Sequence, residues 1–187
     1  MHRYIPLCLI IGLIIAFRVI GSMLPNSQPN FQPLVALFFC GALLAPGWRG
    51  FVIPLGIWAL TFPLGAGHTS NPLDFVSTLL ALIATFLIGK SLAKRNFSTL
   101  LLGSVVSAFA FHLITCGAAW MTDPLYAKNL EGLYQSVWAG PIGSQIPSWV
   151  FLRNLTAANV LFTAIFAFAQ VRLPKFSVPM RDVLATK

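Results

Sequence analysis

The chain has 187 residues, a net charge of +8, 57% hydrophobic residues, only 9% charged residues and a mean hydropathy of +0.82. A soluble domain carries roughly a quarter of its residues as charged ones, so this composition excludes that class and points to an integral membrane protein. The basic residues lie in short segments between apolar runs rather than on one clustered face, which suits the anionic lipid of an inner leaflet and argues against nucleic acid as a partner.

The first apolar run, 4–24, follows Arg3 and is read as a retained helix, because no A-x-A cleavage site follows it. It carries Arg18, expensive at mid-bilayer, either as an anchor snorkelling to the interface or as a cation facing a pocket. Gly12 and Ala16 form a small-xxx-small pair on it, suited to contact within the chain or to docking of another membrane subunit. Next comes "GSMLPNSQPNFQP", a polar, proline-stiffened connector whose Asn26, Asn30 and Gln32 amides could also wall a pocket. Asn30 is expected to cap the helix that follows, with Pro33 in its first turn.

Further candidate spans are 31–46, 50–65, 72–89, 97–120 and 150–171. Three of the six runs are shorter than the roughly 20 residues that cross ~30 Å of hydrocarbon, so they must be broken or supported by neighbours. The third holds Pro54 and Pro63, each removing a backbone donor. His68 lies in the loop after it. In the fifth, His112 and Cys116 are spaced i, i+4, either as a polar pair inside the bundle or as two metal ligands, and Gly103 and Ser107 repeat the small-residue spacing. Between the last two spans, 129–139 reads as an amphipathic helix behind Asn129, with Leu130, Leu133, Tyr134, Val137 and Trp138 on its apolar side. It serves either as an interfacial anchor or as a lid. Arg153, Asn154 and Asn159 open the last span, and 172–187 is a basic tail.

Orientation follows from the basic residues. Arg3, Arg49, Lys90, Lys94, Arg95, Arg172, Lys175, Arg181 and Lys187 fall on one side, against Lys128 and Arg153 on the other. Nine against two predicts cytoplasmic termini and an outward-facing connector, His68 loop and amphipathic helix. The three cysteines, far apart and inside apolar runs, are packing residues rather than a disulfide set. Buried acids are nearly absent and no hydrolase, Walker or paired-carboxylate motif occurs, so neither an enzyme nor an ATP-driven pump is expected from this chain alone.

Arg18 with "LPNSQPNFQPLVALFFCGALLA", "FHLITCGAAW" at 111–120, and 126–168 together resemble a family of small bacterial inner-membrane proteins with an NFxPxxALxxFxGA pattern, here Asn30 to Ala42. That family in turn resembles the substrate-binding S components of energy-coupling-factor (ECF) importers. The resemblance implies an all-α bundle of about six spans forming one multi-pass domain over 1–187. It also implies a small vitamin-like solute and, docked at Gly12 and Ala16, a transmembrane coupling subunit with its ATPases. Solute would be held by Arg18, Asn26, Asn30, Gln32, His68, His112, Tyr134, Trp138, Arg153, Asn154 and Asn159, with no cofactor or metal. Where relatives carry acidic residues this chain has Thr61 and Asn159, and it has Cys116 in place of an Asn, which leaves two alternatives, a neutral or anionic ligand or a lost site. The competing expectation is a non-transport membrane protein, a structural or assembly factor recognising a protein or lipid.

Overall fold

In the computed structural model, residues 30–44, 47–61 and 72–172 are described, together with Gly12 and Ala16, which are both helical and exposed. These residues form helices and no strand: α1 (Leu34–Phe39), α2 (Gly41–Leu44), α3 (Arg49–Thr61), α4 (Pro72–Leu92), α5 (Phe97–Thr122), α6 (Leu130–Tyr134) running into a π-helical turn (Gln135–Ala139), and α7 (Ser148–Arg172). Among the described residues, three segments are long and apolar enough to cross a membrane: Pro72–Leu92, Phe97–Thr122 and Ser148–Phe168. Their large side chains face outward, as at Leu80 and Leu87 of α4, Leu102, Val106 and Phe109 of α5, and Leu161 and Ile165 of α7. Water would oppose such a surface and lipid favours it.

The ends of the long helices follow from local chemistry. Pro72 opens α4 at the position where its missing N–H costs nothing, with Asp74 in the first turn and Lys90 in the last, each matching the helix dipole. A short connection leads to Asn96, whose side chain accepts from the Thr99 amide at 2.9 Å and caps α5. The antiparallel pair α4–α5 is the most extensively packed in the bundle, and α7 lies against α5.

The run at 31–46, one of the three too short to cross unaided, is broken into two short helices at the centre of the described residues. Leu34 to Cys40 are all less than 5% exposed, the condition of a helix that is apolar all round. Leu34–Leu44 extends for only about 16 Å at ~1.5 Å per residue, so it plugs the bundle, packed against α4 and α7 and also touching α3 and α5. Its start differs from expectation. Asn30 adopts a left-handed conformation (φ 61°), Pro33 occupies the N-cap position, and no side chain caps the helix.

Two glycines let this plug seat. A Cβ at Gly89 of α4 would strike the backbone carbonyl of Phe39, and one at Gly41 would strike the carbonyl of Gly50 on α3. The Gly50 carbonyl is the one whose usual intrahelical donor, the amide four residues on, is missing because residue 54 is proline. Pro54 thus supplies the exposed oxygen that Gly41 meets. Around the plug, Phe51 bridges Phe38 and Phe86 with ring centroids 5.7 and 5.2 Å away, a chain of contacts within the favoured aromatic range.

Candidate functional site

Polar groups gather at two places: a cap over one end of α5 and α7, and a seam deeper between them.

The cap begins where α5 ends. Lys128 Nζ donates to the carbonyls of Trp120 (2.5 Å) and Asp123 (2.6 Å), putting a cation on the negative end of the helix dipole. Trp120 Nε1 donates to Ala127 O at 2.8 Å. Asn129 accepts from the Gly132 amide at 2.8 Å and so caps α6, as its sequence position predicts. The π turn is then tied to α5 twice: Ser136 Oγ donates to Cys116 O at 2.7 Å, and His112 Nε2 lies 2.9 Å from Val137 O. Because a carbonyl can only accept, the His112 proton in that bond is on Nε2. Cys116 Sγ touches the same ring at 3.5 Å. The i, i+4 spacing of His112 and Cys116 therefore does bring them into contact.

The cap docks through its small side and leaves much of its apolar stripe outward, as the interfacial-anchor alternative expects. Gly132, Ser136 and Gly140 are buried, whereas Leu130 (84%), Tyr134 (66%) and Trp138 (49%) are exposed. A Cβ at Gly132 would collide with the Ala127 backbone, so the small side brings the segment close enough for the Ser136 and His112 bonds. Tyr126, buried beneath, has its phenol pushed above its ordinary value near 10 by that burial, opposed by a hydrogen bond with Ser136 and reinforced by the charge of Asp123. At the start of α7, Trp149 stacks 6.5 Å from Trp138, and the Arg153 guanidinium lies 5.4 Å over the Trp149 ring. Arg153 Nε also donates to Asn154 Oδ1 at 3.2 Å. Asn154 is buried and Arg153 exposed.

In the seam, Asn159 is 1% exposed and its Nδ2 donates to Ser104 O (2.6 Å) and Ser107 Oγ (2.8 Å) on α5. Ser107 Oγ in turn donates to Ser104 O at 2.9 Å. The small spacing of Gly103 and Ser107 is therefore used within the chain, where Gly103 lies against Leu92 and Phe39.

Of the residues singled out in the sequence, Trp138, Arg153 and Asn154 come together at the cap end, joined by Trp149. His112 anchors the cap from below. Tyr134 faces away, Asn159 belongs to the seam, Asn30 is exposed and Gln32 half-buried. Arg18, Asn26 and His68 lie outside the described residues, as does most of the 4–24 span that carries Gly12 and Ala16. Ser136, Ser104, Trp149, Thr156 and Thr163 were not singled out. The signal for the last two was present as polar residues at i, i+3 and i+7 with Asn159. Among the described residues no three His, Cys, Asp or Glu side chains assemble into a metal set.

A helical bundle with three membrane-length apolar helices defines a membrane protein. Residues 1–179 match DUF6580, a family of unknown function, and the chain belongs to that family. No curated protein and no solved structure matches it.

Proposed function

We propose that this protein is the solute-capturing membrane subunit of an importer, similar to the S components of ECF transporters, and that it takes a small vitamin-like molecule. The observation that carries the reading is the cap. A segment merely connecting two spans has no need of a cation on the α5 terminus, an Asn129 cap and two side-chain bonds to α5, yet this one has all of them. At the start of α7, Trp149 and the exposed Arg153 present an aromatic face and a cation, a combination that suits a ligand with acceptor or anionic groups. The charge distribution supports placing this end outward in the bacterial cytoplasmic membrane with cytoplasmic termini, and the count of about six spans holds with the broken 31–46 segment, supported by its neighbours, as the short second crossing. Gly12 and Ala16 are the docking positions for a coupling subunit, which brings its own ATPases. The family resemblance adds Arg18, Asn26, Asn30, Gln32 and His68 as further candidate contacts.

The test is affinity purification in mild detergent, with identification of both co-purifying subunits and bound small molecules. Import predicts a coupling subunit, an ATPase and a solute together. A purified, folded protein with neither solute nor coupling subunits contradicts it.

One observation favours the second reading, a structural or assembly factor. Leu130, Tyr134 and Trp138 form an outward stripe at i, i+4 and i+8, which suits headgroup depth or a partner protein. The same purification separates the two, since a factor of that kind brings down a protein or lipid and no solute.

A further inference from the structure

Threonines inside apolar helices ordinarily return their hydroxyl to the carbonyl three or four residues back, which satisfies it without any neighbour. Thr85 of α4 and Thr115 and Thr122 of α5 do so, donating to Ala81 O at 2.9 Å, Phe111 O at 3.0 Å and Ala118 O at 2.9 Å. The threonines of α7 do not. Thr156 Oγ1 and Thr163 Oγ1 are shielded from solvent and make no hydrogen bond beyond the contact of Thr163 with the Cys40 thiol. Between them, Asn159 Oδ1 is likewise buried without a partner. The spacing i, i+3, i+7 puts all three oxygens on one face of α7.

The amide of Asn159 cannot relieve this by turning over. Its Nδ2 serves Ser104 O and Ser107 Oγ, and a flipped amide would set Oδ1 against the Ser104 carbonyl, acceptor facing acceptor. The orientation is therefore fixed by chemistry and Oδ1 is left over. Folded proteins seldom leave one such atom unpaired. Thr156 Oγ1 and Asn159 Oδ1 have no partner at all and lie about 4.5 Å apart along the helix axis, within reach of one occupant. Thr163, about 6 Å further on, has only the Cys40 thiol.

We infer that the α7 stripe of Thr156, Asn159 and Thr163 is a binding site for an uncharged hydrogen-bond donor, an O–H or N–H group supplied by water or by a small solute inside the bundle. A carboxamide oxygen can only accept, so the occupant must donate. Hydroxyls both accept and donate, so an occupant with both capacities satisfies the flanking threonines as well. Charge is excluded by the surroundings. The described acidic and basic residues sit at helix ends and connections, as at Asp74, Lys90, Asp123, Glu131 and Arg153, and an ion in this apolar interior would lack a counter-charge. The stripe is distinct from the cap, so its occupancy holds whether or not the import reading does.

Single thiols at the stripe test this. In a background carrying Cys8→Ala, Cys40→Ala and Cys116→Ala, the variants Thr156→Cys and Thr163→Cys are treated with iodoacetamide, itself small and uncharged, and compared with Ala158→Cys, whose parent residue is 0% exposed in the apolar core. The expected result is labelling at least about tenfold faster at the stripe than at 158, with a cationic methanethiosulfonate giving no such excess. Fast labelling of protein as isolated identifies water as the occupant. Slow labelling that becomes fast after exhaustive dialysis identifies a bound solute. Labelling as slow as the control before and after dialysis overturns the inference, and faster reaction with the cationic reagent overturns the uncharged assignment. Should a stripe variant fail to fold, native Cys40, which faces Thr163, reports on the same site in the Cys8→Ala, Cys116→Ala protein against the same control.

Discussion

Gly89→Ala separates a plug seated by backbone contact from one held by general apolar packing. A Cβ added at Gly89 would meet not only the Phe39 carbonyl oxygen but also Phe39 C at 2.7 Å and Cα at 3.0 Å. Those atoms belong to a helix whose residues are less than 5% exposed, so the neighbour is rigid backbone with no room behind it. Overpacking of this kind costs about 1–3 kcal/mol, and the intrinsic helix preference of alanine over glycine, about 1 kcal/mol, opposes it. With unyielding neighbours the net loss should be about 2 kcal/mol. Gly56→Ala is the matched control, because a Cβ there meets nothing within 4 Å, and it should gain most of that ~1 kcal/mol. The two variants should differ by about 3 kcal/mol, or roughly 6–12 °C in Tm for a chain of this size. Thermal unfolding in detergent followed by tryptophan fluorescence measures the gap. If Gly89→Ala melts with or above the parent, the seating of α1 on α4 is wrong.

Ser136→Ala removes one of the two ties between the π turn and α5 at a cost of about 0.5–1.5 kcal/mol, so limited proteolysis should cut within 127–147 faster while α4 and α5 stay resistant. Burial raises the Tyr126 phenol in the folded protein, so the folded state holds that proton more tightly than the unfolded chain. The resulting stability is fully present below the unfolded value near 10 and is lost as pH rises toward the higher folded value. Cap proteolysis should therefore increase above about pH 10, and Tyr126→Phe should abolish that pH dependence. Gly12→Leu and Ala16→Leu should release coupling subunits while leaving bound solute in place, because close helix approach needs small side chains. Equal retention in co-purification counts against that docking face.

The long helices were legible as apolar runs, with Pro72 and Asn96 at the starts of α4 and α5, and Asn129 caps the short α6 where its residue type indicates. The plug was not legible. A continuous apolar run reads alike as a short span and as a buried core helix, and only the contacts of Gly41 and Gly89 separate the two. The cap's existence and N-cap were readable, and its exposed Leu130, Tyr134 and Trp138 accord with the interfacial-anchor alternative, whereas the small docking side carried no apolar signal. Here Gly132 and Ser136 win because backbone proximity is needed for two hydrogen bonds, and membrane surroundings tolerate Leu130 and Trp138 facing out. Asn159 stood out as an amide in an apolar helix. Thr156 and Thr163 did not, because a helical threonine usually satisfies itself, and that it fails to do so twice in α7 is visible only in three dimensions.

The central claim, that the capped end holds a solute, is tested most directly by mass spectrometry of small molecules released from the purified protein, comparing wild type with Arg153→Ala and Trp149→Ala. The account predicts one compound in near-stoichiometric amount from the wild type and at least about tenfold less from each variant, since a charge-assisted hydrogen bond from Arg153 contributes roughly 1.5–3 kcal/mol and Trp149 supplies both the aromatic face and the ring that holds the guanidinium. Folded wild-type protein that releases no compound, or variants that release as much as the wild type, would contradict it.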